Sequence, residues 1–237
     1  MVPLLTTPLP TPHGFTTRLG GVSEGPFYSL NLSKATGDDP EKVAENQRRV
    51  LALFGNPPVA GLKQVHGTQV HWVEGPGVWE GDGLLTTTPR LLLRVGVADC
   101  YPLLLYHPKG AIGALHAGWR GTVGGILPKA VALLKERGFD PAGLHLAIGP
   151  GIGGACYQVG EEVVEAFLKE GLPTFRPDAE GRYRLDLLAA LFLQAQRLGI
   201  PKGHIHTVGL CTHCDPRLFS HRRDRGRTGR MWGVILL

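Results

Sequence analysis

One stretch in the middle of the chain, Leu91 to Thr122 (LLLRVGVADCYPLLLYHPKGAIGALHAGWRGT), constrains the fold more than any other. It reads as three short apolar runs, Leu91–Val97, Tyr101–Tyr106 and Ala111–His116, bounded by Gly, Pro or polar residues. Runs of this length and setting are the mark of buried strands. The first run delivers Ala98-Asp99-Cys100, and the third ends in His116 followed by Ala117-Gly118-Trp119-Arg120-Gly121. If His107-Pro108-Lys109-Gly110 closes a hairpin, Tyr106 lies opposite Ala111, Tyr101 opposite His116 and Cys100 opposite Ala117. Facing residues of an antiparallel pair are about 4.5–5.5 Å apart, so this register makes Cys100 and His116 near neighbours at one end of a sheet. A thiol beside an imidazole is a nucleophile pair, two ligands of a soft metal, or a structural Cys beside an unrelated His. The Gly-rich flank favours a ligand site, because it lets backbone approach a ligand closely and sets the Arg120 guanidinium beside it.

Around this stretch the pattern predicts a mixed α/β chain, α+β in class, forming a single domain over residues 1–237. Pro12–Thr17 reads as a first strand. Asp38-Asp39-Pro40-Glu41 opens a helix, with an acidic N-cap and Pro at the first helical position. That helix carries Val43, Val50, Leu51 and Phe54 inward and stops at Gly55. Val59–Leu62, Gln69–Val73 and Leu84–Thr88 read as strands, with Glu80–Gly83 as a turn and His66 at a strand end beside a Gly. One helix is expected from about Trp119 to Lys135, softened by Gly124-Gly125 and Pro128. Further on, Leu144–Ile148, His204–Val208 and Met231–Leu237 read as strands, and Glu161–Lys169 and Leu185–Leu198 as amphipathic helices. Gly149–Gly154 (GPGIGG) formally matches a dinucleotide fingerprint, but no helix follows it directly and no paired βαβ half is visible. It reads as a loop rimming a site. Cys211-Thr212-His213-Cys214 is a lone CxxC and reads as ordinary packing thiols.

Composition excludes several classes. No run approaches the roughly 18 apolar residues of a membrane span, and Met1–Pro12 has four prolines and no basic region to make a signal peptide. The expectation is a cytoplasmic protein, a monomer or small homo-oligomer. Net charge is +5, and six arginines crowd Arg217–Arg230. Apolar Leu218-Phe219 and a final strand bound that cluster, so it suggests a site for a small anion such as phosphate rather than nucleic acid. Four cysteines in such a chain are thiols or ligands before they are disulfides. Few Asn and Met with many Pro hint at a thermophilic source.

Three apolar-to-polar transitions end in His66, Cys100 and His116. One thiolate and two imidazoles suit Zn²⁺ well, and copper or iron less selectively. Three protein ligands leave a fourth position open, as in catalytic rather than structural zinc. The spacing, 34 residues from His66 to Cys100 and 16 more to His116, is that of ligands gathered by a fold, not of a zinc finger.

These residues carry a resemblance. His66 in KQVHG, Cys100 in ADCYPLLLY, His116 in HAGWRGT, the run GPGIGGACYQVGEEV, the closing FSHRRDRGRTGR and the opening GFTTRLGGVSEGPFYSLNLS are similar to the YfiH-type family. That family is also called the laccase-domain or multicopper polyphenol oxidase family, and the purine nucleoside phosphorylase/adenosine deaminase family. The resemblance spans nearly the whole chain and implies an αββα-type layered fold, with zinc on His66, Cys100 and His116. It implies phosphorolysis of adenosine, inosine, guanosine and methylthioadenosine, and deamination of adenosine to inosine. The H-x-E and P-C-x-x-C motifs of zinc deaminases are missing, so any deamination uses another constellation. Gln158 stands where the family's CYEV carries an acid, and His221 where Tyr is commoner.

Phosphorolysis needs phosphate held in line with the glycosidic carbon. Arg18, Arg120, Arg222 and Arg223 are the candidate clamps, since guanidinium binds phosphate bidentately. Arg222 and Arg223 pairing only with Asp215 or Asp224 is the alternative. Asp82 and Asp99 are candidates for acid–base work or for orienting an imidazole, against a plain turn-capping role. Three other functions stay open: a cysteine hydrolase using Cys100 with His116 as base, a copper-dependent phenol oxidase, and a non-catalytic metal or redox binder. Multicopper sites need several His-x-His pairs, and the one here is His204-Ile205-His206.

Overall fold

The computed structural model describes residues 1–237, apart from the side chain of Glu180. Its strands in the first half are β1 (Leu4–Leu5), β2 (His13–Thr16), β3 (Val59–Lys63), β4 (Val70–Trp72), β5 (Gly77–Glu80), β6 (Gly83–Thr86) and β7 (Leu92–Val97). They continue with β8 (Tyr101–His107), β9 (Ala111–Ala117), β10 (His145–Ile148), β11 (Gln158–Val159), β12 (Phe175–Pro177), β13 (Tyr183–Leu185), β14 (Ile205–Thr207) and β15 (Met231–Leu236). The helices are α1 (Pro40–Ala52), α2 (Trp119–Val123), α3 (Ile126–Glu136), α4 (Glu161–Lys169) and α5 (Leu187–Arg197).

Two six-stranded sheets, in the orders β1-β2-β15-β7-β3-β5 and β14-β10-β8-β9-β6-β4, stack face to face. Phe15, Leu93 and Val95 of the first sheet interleave with Leu84, Leu104 and Ala114 of the second to form the central core. Helix α1 covers the outer face of the first sheet, where Val50 packs on Leu92, Trp232 and Val234. Helices α3, α4 and α5 cover the outer face of the second, packing on Leu103, Leu105 and Leu115. The result is the four-layer αββα arrangement expected, because sheets apolar on both faces must be covered twice. Truncating a residue of the central layer is costly. Leu104→Ala, at a fully buried site, is expected to lower the unfolding free energy by about 2–5 kcal/mol in urea titrations.

The hairpin forms with a register one residue from the expected one. His107 pairs with Ala111, Pro102 with His116 and Tyr101 with Ala117. The reason is the turn: Gly110 donates its amide to the His107 carbonyl at 2.9 Å, so His107 belongs to the strand and only three residues connect the pair. The shift matters, since a slip of one residue turns every side chain to the other face. With Pro102 opposite His116, Cys100 has the parity of His116, whereas the expected register set them on opposite faces.

The single helix expected after His116 is two. Gly125 sits at φ +84 between α2 and α3, a left-handed conformation open to glycine and not to a helix interior. Strand β5 is not among the strands read from the sequence, and only its last residue, Glu80, falls in the expected turn. It is an edge strand with exposed Val78, parallel to β3 alone, and so shows no buried alternation.

Candidate active site

Strand β3 runs parallel to β7, so both release their chains at the same end of the sandwich. After β7 the chain crosses to the second sheet through Ala98-Asp99-Cys100, and β9 returns to that end to deliver His116. After β3, Gln64 extends the ladder with its side chain: its amide nitrogen donates to the Gly96 carbonyl at 2.8 Å, and its oxygen accepts from the Gly96 amide at 2.7 Å. The next turn carries His66 at φ +58, and Asp99 in the crossing has φ +91. Left-handed backbone at non-glycine residues persists only where surroundings enforce it, and it gathers at functional sites.

Here the enforcing group is Asp82, fully buried between β5 and β6. Its Oδ1 accepts from the His66 amide at 3.0 Å, and its Oδ2 from the Gly67 amide at 2.7 Å and the Val65 amide at 3.3 Å. Oδ1 also meets His116 Nδ1 at 2.8 Å, while the Asp82 carbonyl accepts the His116 amide at 2.8 Å. One carboxylate thus shapes the His66 turn and fixes the His116 ring, with Nε2 left for the site. Burial works against its charge, but His116 and the Gly67 and Val65 amides outweigh that and lower its pKa.

The ligand atoms of His66, Cys100 and His116 all lie within 4.8 Å of one another. The two imidazoles meet edge to face with centroids 4.8 Å apart. Burial raises the Cys100 thiol, yet His116 and His66 overcome it and pull the pKa below the ordinary thiol value. Burial likewise opposes the His116 cation, but Cys100 and Asp82 prevail and raise it. Gly118 closes the cluster from one side: a Cβ there would stand 3.0 Å from Cys100 Sγ and 3.5 Å from His66 Nδ1.

The cluster opens into a cavity of about 860 Å³ lined also by Arg94, Arg120, Tyr157, Arg222, Arg230 and Trp232. That volume suits a drug-sized ligand. Arg120 is exposed, its guanidinium 4.5 Å from the Trp119 ring centre. Arg222 lies over Tyr157 at 5.3 Å and donates to the Gln158 carbonyl at 2.8 Å. Arg94 stacks on Trp232 at 4.7 Å, and burial lowers its pKa. Burial also lowers that of Arg230, with the charges of Cys100 and Asp99 pulling the other way.

Arg18 and Arg223, expected with the others, lie outside this cavity. Arg18 donates to the Tyr28 carbonyl at 2.5 Å and stacks on Phe219 at 4.7 Å. Arg223 is consumed by Asp224 and by the Thr212 and Leu218 carbonyls, so it pins the C-terminal arm. Asp99 touches the cavity but orients no imidazole. Its oxygens accept from Thr212 Oγ1 at 2.5 Å and the Arg222 amide at 2.6 Å, which ties the crossing to that arm. The GPGIGG loop does rim the cavity through Ile152, whose carbonyl accepts Tyr101 OH at 3.0 Å. Arg94 was not anticipated, and Arg230 only as a member of the Arg217–Arg230 cluster read as an anion site. Arg94 did carry a signal, as the one charge inside an otherwise apolar strand run.

The family model for multi-copper polyphenol oxidoreductase laccases matches residues 12–237. The purine nucleoside phosphorylase of Deinococcus radiodurans is 48% identical over 238 residues, covering 99% of this chain and 92% of that protein. The purine nucleoside phosphorylase YlmD of Geobacillus stearothermophilus is 40% identical over 246 residues, covering 94% of this chain and 88% of its own length. The crystal structure of YlmD from that organism superposes with a TM-score of 0.90 at 39% identity, over 94% of this chain and 90% of that one. The Bacillus licheniformis hypothetical protein YfiH superposes with a TM-score of 0.89 at 36% identity, over 95% of this chain and 92% of that one. No helix is long and apolar enough to cross a membrane among the described residues.

Proposed function

The chain belongs to the multi-copper polyphenol oxidoreductase laccase family, as its motifs suggested, and from that premise we propose a zinc-dependent purine nucleoside phosphorylase that also deaminates adenosine. One observation carries the reading: a single cavity holds a Cys/His₂ donor set beside Arg94, Arg120, Arg222 and Arg230, none of which forms a salt bridge among the described residues. The names of the relatives quoted above support the phosphorylase part. The donor set fits zinc, with one soft sulfur, two imidazoles and a carboxylate behind His116. It fits a multicopper centre poorly. His204 and His206 line the far edge of the second sheet, where their rings stack on His145 instead of joining the cluster.

In this reading His66, Cys100 and His116 hold the ion, which when bound supplies Lewis acidity and water activation. Asp82 keeps His116 in the tautomer that presents Nε2. Arg94, Arg120, Arg222 and Arg230 neutralise phosphate and hold it against the sugar, so that attack is an oriented, local event. Tyr157 and Trp119 offer faces on which a purine stacks. Such a ring of cations also draws anions into the cavity before contact.

Adenosine incubated with and without phosphate is expected to yield phosphate-dependent adenine and phosphate-independent inosine, resolved by chromatography. Arg94→Gln and Arg120→Gln are each expected to raise the KM for phosphate roughly 10- to 100-fold, since a hydrogen bond to a charged group is worth about 1.5–3 kcal/mol. Inosine formation is expected to change little in either variant. No purine product from zinc-loaded protein would overturn the reading. The low pKa of Cys100 beside His116 supports one rival, a cysteine hydrolase. That rival predicts catalysis which survives a chelator and dies irreversibly on alkylation.

A further inference from the structure

The GPGIGG loop, which borders the cavity through Ile152, meets the turn after β14 at a second group of thiols. The GPGIGG loop leads into Cys156, and the turn that follows β14 carries Cys211, His213 and Cys214. Cys156 Sγ lies 3.2 Å from Cys214 Sγ. The ligand atoms of Cys156, His213 and Cys214 all lie within 4.8 Å of one another. Cys211 opens the same CxxC turn, three residues before Cys214. Its sulfur accepts the Gly153 amide at 3.1 Å. An amide donated to a sulfur favours the thiolate, the state a metal requires.

We propose that Cys156, Cys211, Cys214 and His213 form a second metal site, structural and suited to zinc, that clamps the GPGIGG loop to the C-terminal arm. Read alone, the CxxC lacked a second pair of donors. The fold supplies them as Cys156, 55 residues upstream of Cys211, and as His213 inside the turn. A Cys₃His set closes a tetrahedral zinc shell with no position left for water. Zn–S bonds of about 2.3 Å and Zn–N bonds of about 2.0–2.1 Å put ligand atoms about 3.4–3.8 Å apart. Small side-chain rotations reach that from the present spacing of Cys156, His213 and Cys214, and Cys211, in the same turn, swings in as the fourth ligand. Without a cation the Cys156 and Cys214 sulfurs stand 3.2 Å apart with nothing between them to hold two thiolate charges. Binding a divalent ion releases three protons and leaves the site with one negative charge. Cys214 is exposed, so the ion has an entry path.

The clamp bears on the cavity without entering it. Tyr157 follows Cys156 directly, and Arg222, on the arm after Cys214, donates to the Gln158 carbonyl at 2.8 Å. Both line the cavity. Fixing Cys156 to Cys214 therefore fixes Tyr157 against Arg222.

The test is metal stoichiometry in full-length protein, a readout independent of any turnover. In a His66→Ala/Cys100→Ala background, which removes the first donor set, about one zinc per chain is expected to survive gel filtration. Adding Cys214→Ser is expected to remove it and to lower the melting temperature by roughly 5–10 °C. Cys214→His keeps a donor and is expected to retain the ion, which separates loss of ligand from loss of fold. Cobalt in place of zinc should give the intense visible bands of a tetrahedral site, with charge transfer from three thiolates. The proposal falls if the background variant is metal-free after reduction and zinc loading. It also falls if peptide mapping finds a Cys156–Cys214 disulfide, or if all three thiols titrate freely in zinc-replete protein.

Discussion

On the proposed zinc reading, serine in place of Cys100 is expected to lower purine turnover by roughly 10³-fold or more and to release the ion of the first site. The side chain is nearly the same size, so circular dichroism should stay close to that of the wild type, while loss of the bound ion lowers the melting temperature. The chemistry is what changes: a hydroxyl stays protonated near neutral pH and is a hard, weak ligand where the thiolate was a soft, strong one. Three ligands hold the ion jointly, and losing one of a set that acts as a unit costs about as much as losing all. Chelation of the wild type should reproduce the loss, and added zinc should restore phosphorolysis and deamination together. Turnover that stays within a few-fold of wild type in Cys100→Ser protein would place the chemistry elsewhere. Wild-type activity indifferent to chelators but abolished by alkylation would favour the cysteine-hydrolase reading instead.

The second large effect is expected at Asp82, which lies against no open space of the cavity. Both its oxygens are saturated by the His66, Gly67 and Val65 amides and by His116. Asp82→Asn keeps the volume but turns one acceptor into a donor that faces amide hydrogens. Removing a partner behind a metal-bound imidazole typically costs 10- to 100-fold in affinity or activity, so zinc affinity measured against a competing chelator is expected to drop by about that factor. A buried donor left facing donors costs about 1–3 kcal/mol, and urea unfolding should register it. Asp82→Glu retains the charge and is expected to recover part of the metal affinity. An Asp82→Asn protein with wild-type zinc affinity would reduce Asp82 to a plain turn cap.

Much of this site is legible in the amino-acid sequence. His66, Cys100 and His116 end apolar runs beside glycine or small residues, and a run that stops on a ligand-type residue places it at the rim of a sheet. Period and punctuation carried the elements, while the αββα layering was implied by the resemblance to the YfiH-type family. Short apolar runs bounded by Gly and Pro marked the strands, Asp39-Pro40 the start of α1 and Gly171 the end of α4. These are local properties, and local sequence is enough to decide them.

The rest was decided across distance. A one-residue difference in the β8–β9 register determined whether Cys100 and His116 share a face, and that rested on whether His107 joined the strand or the turn. Nothing local in Arg18, Arg120, Arg222 or Arg223 separates cavity arginines from structural ones. The separation came from which carbonyls and carboxylates the fold brought within reach, and these claimed Arg18 and Arg223. Arg94 and Arg230 entered the cavity for the same reason, Arg94 half-buried and stacked on Trp232 and Arg230 half-buried and donating to the Thr228 and Gly229 carbonyls. The second thiol group appears only once Cys156 and Cys214 are 3.2 Å apart. The sequence by itself thus determined which residues can bind a metal and which strands carry them, because residue chemistry and strand period are properties of a short segment. Tertiary structure alone decided which of them meet, because register and the partners of long cationic side chains depend on segments far apart in the chain.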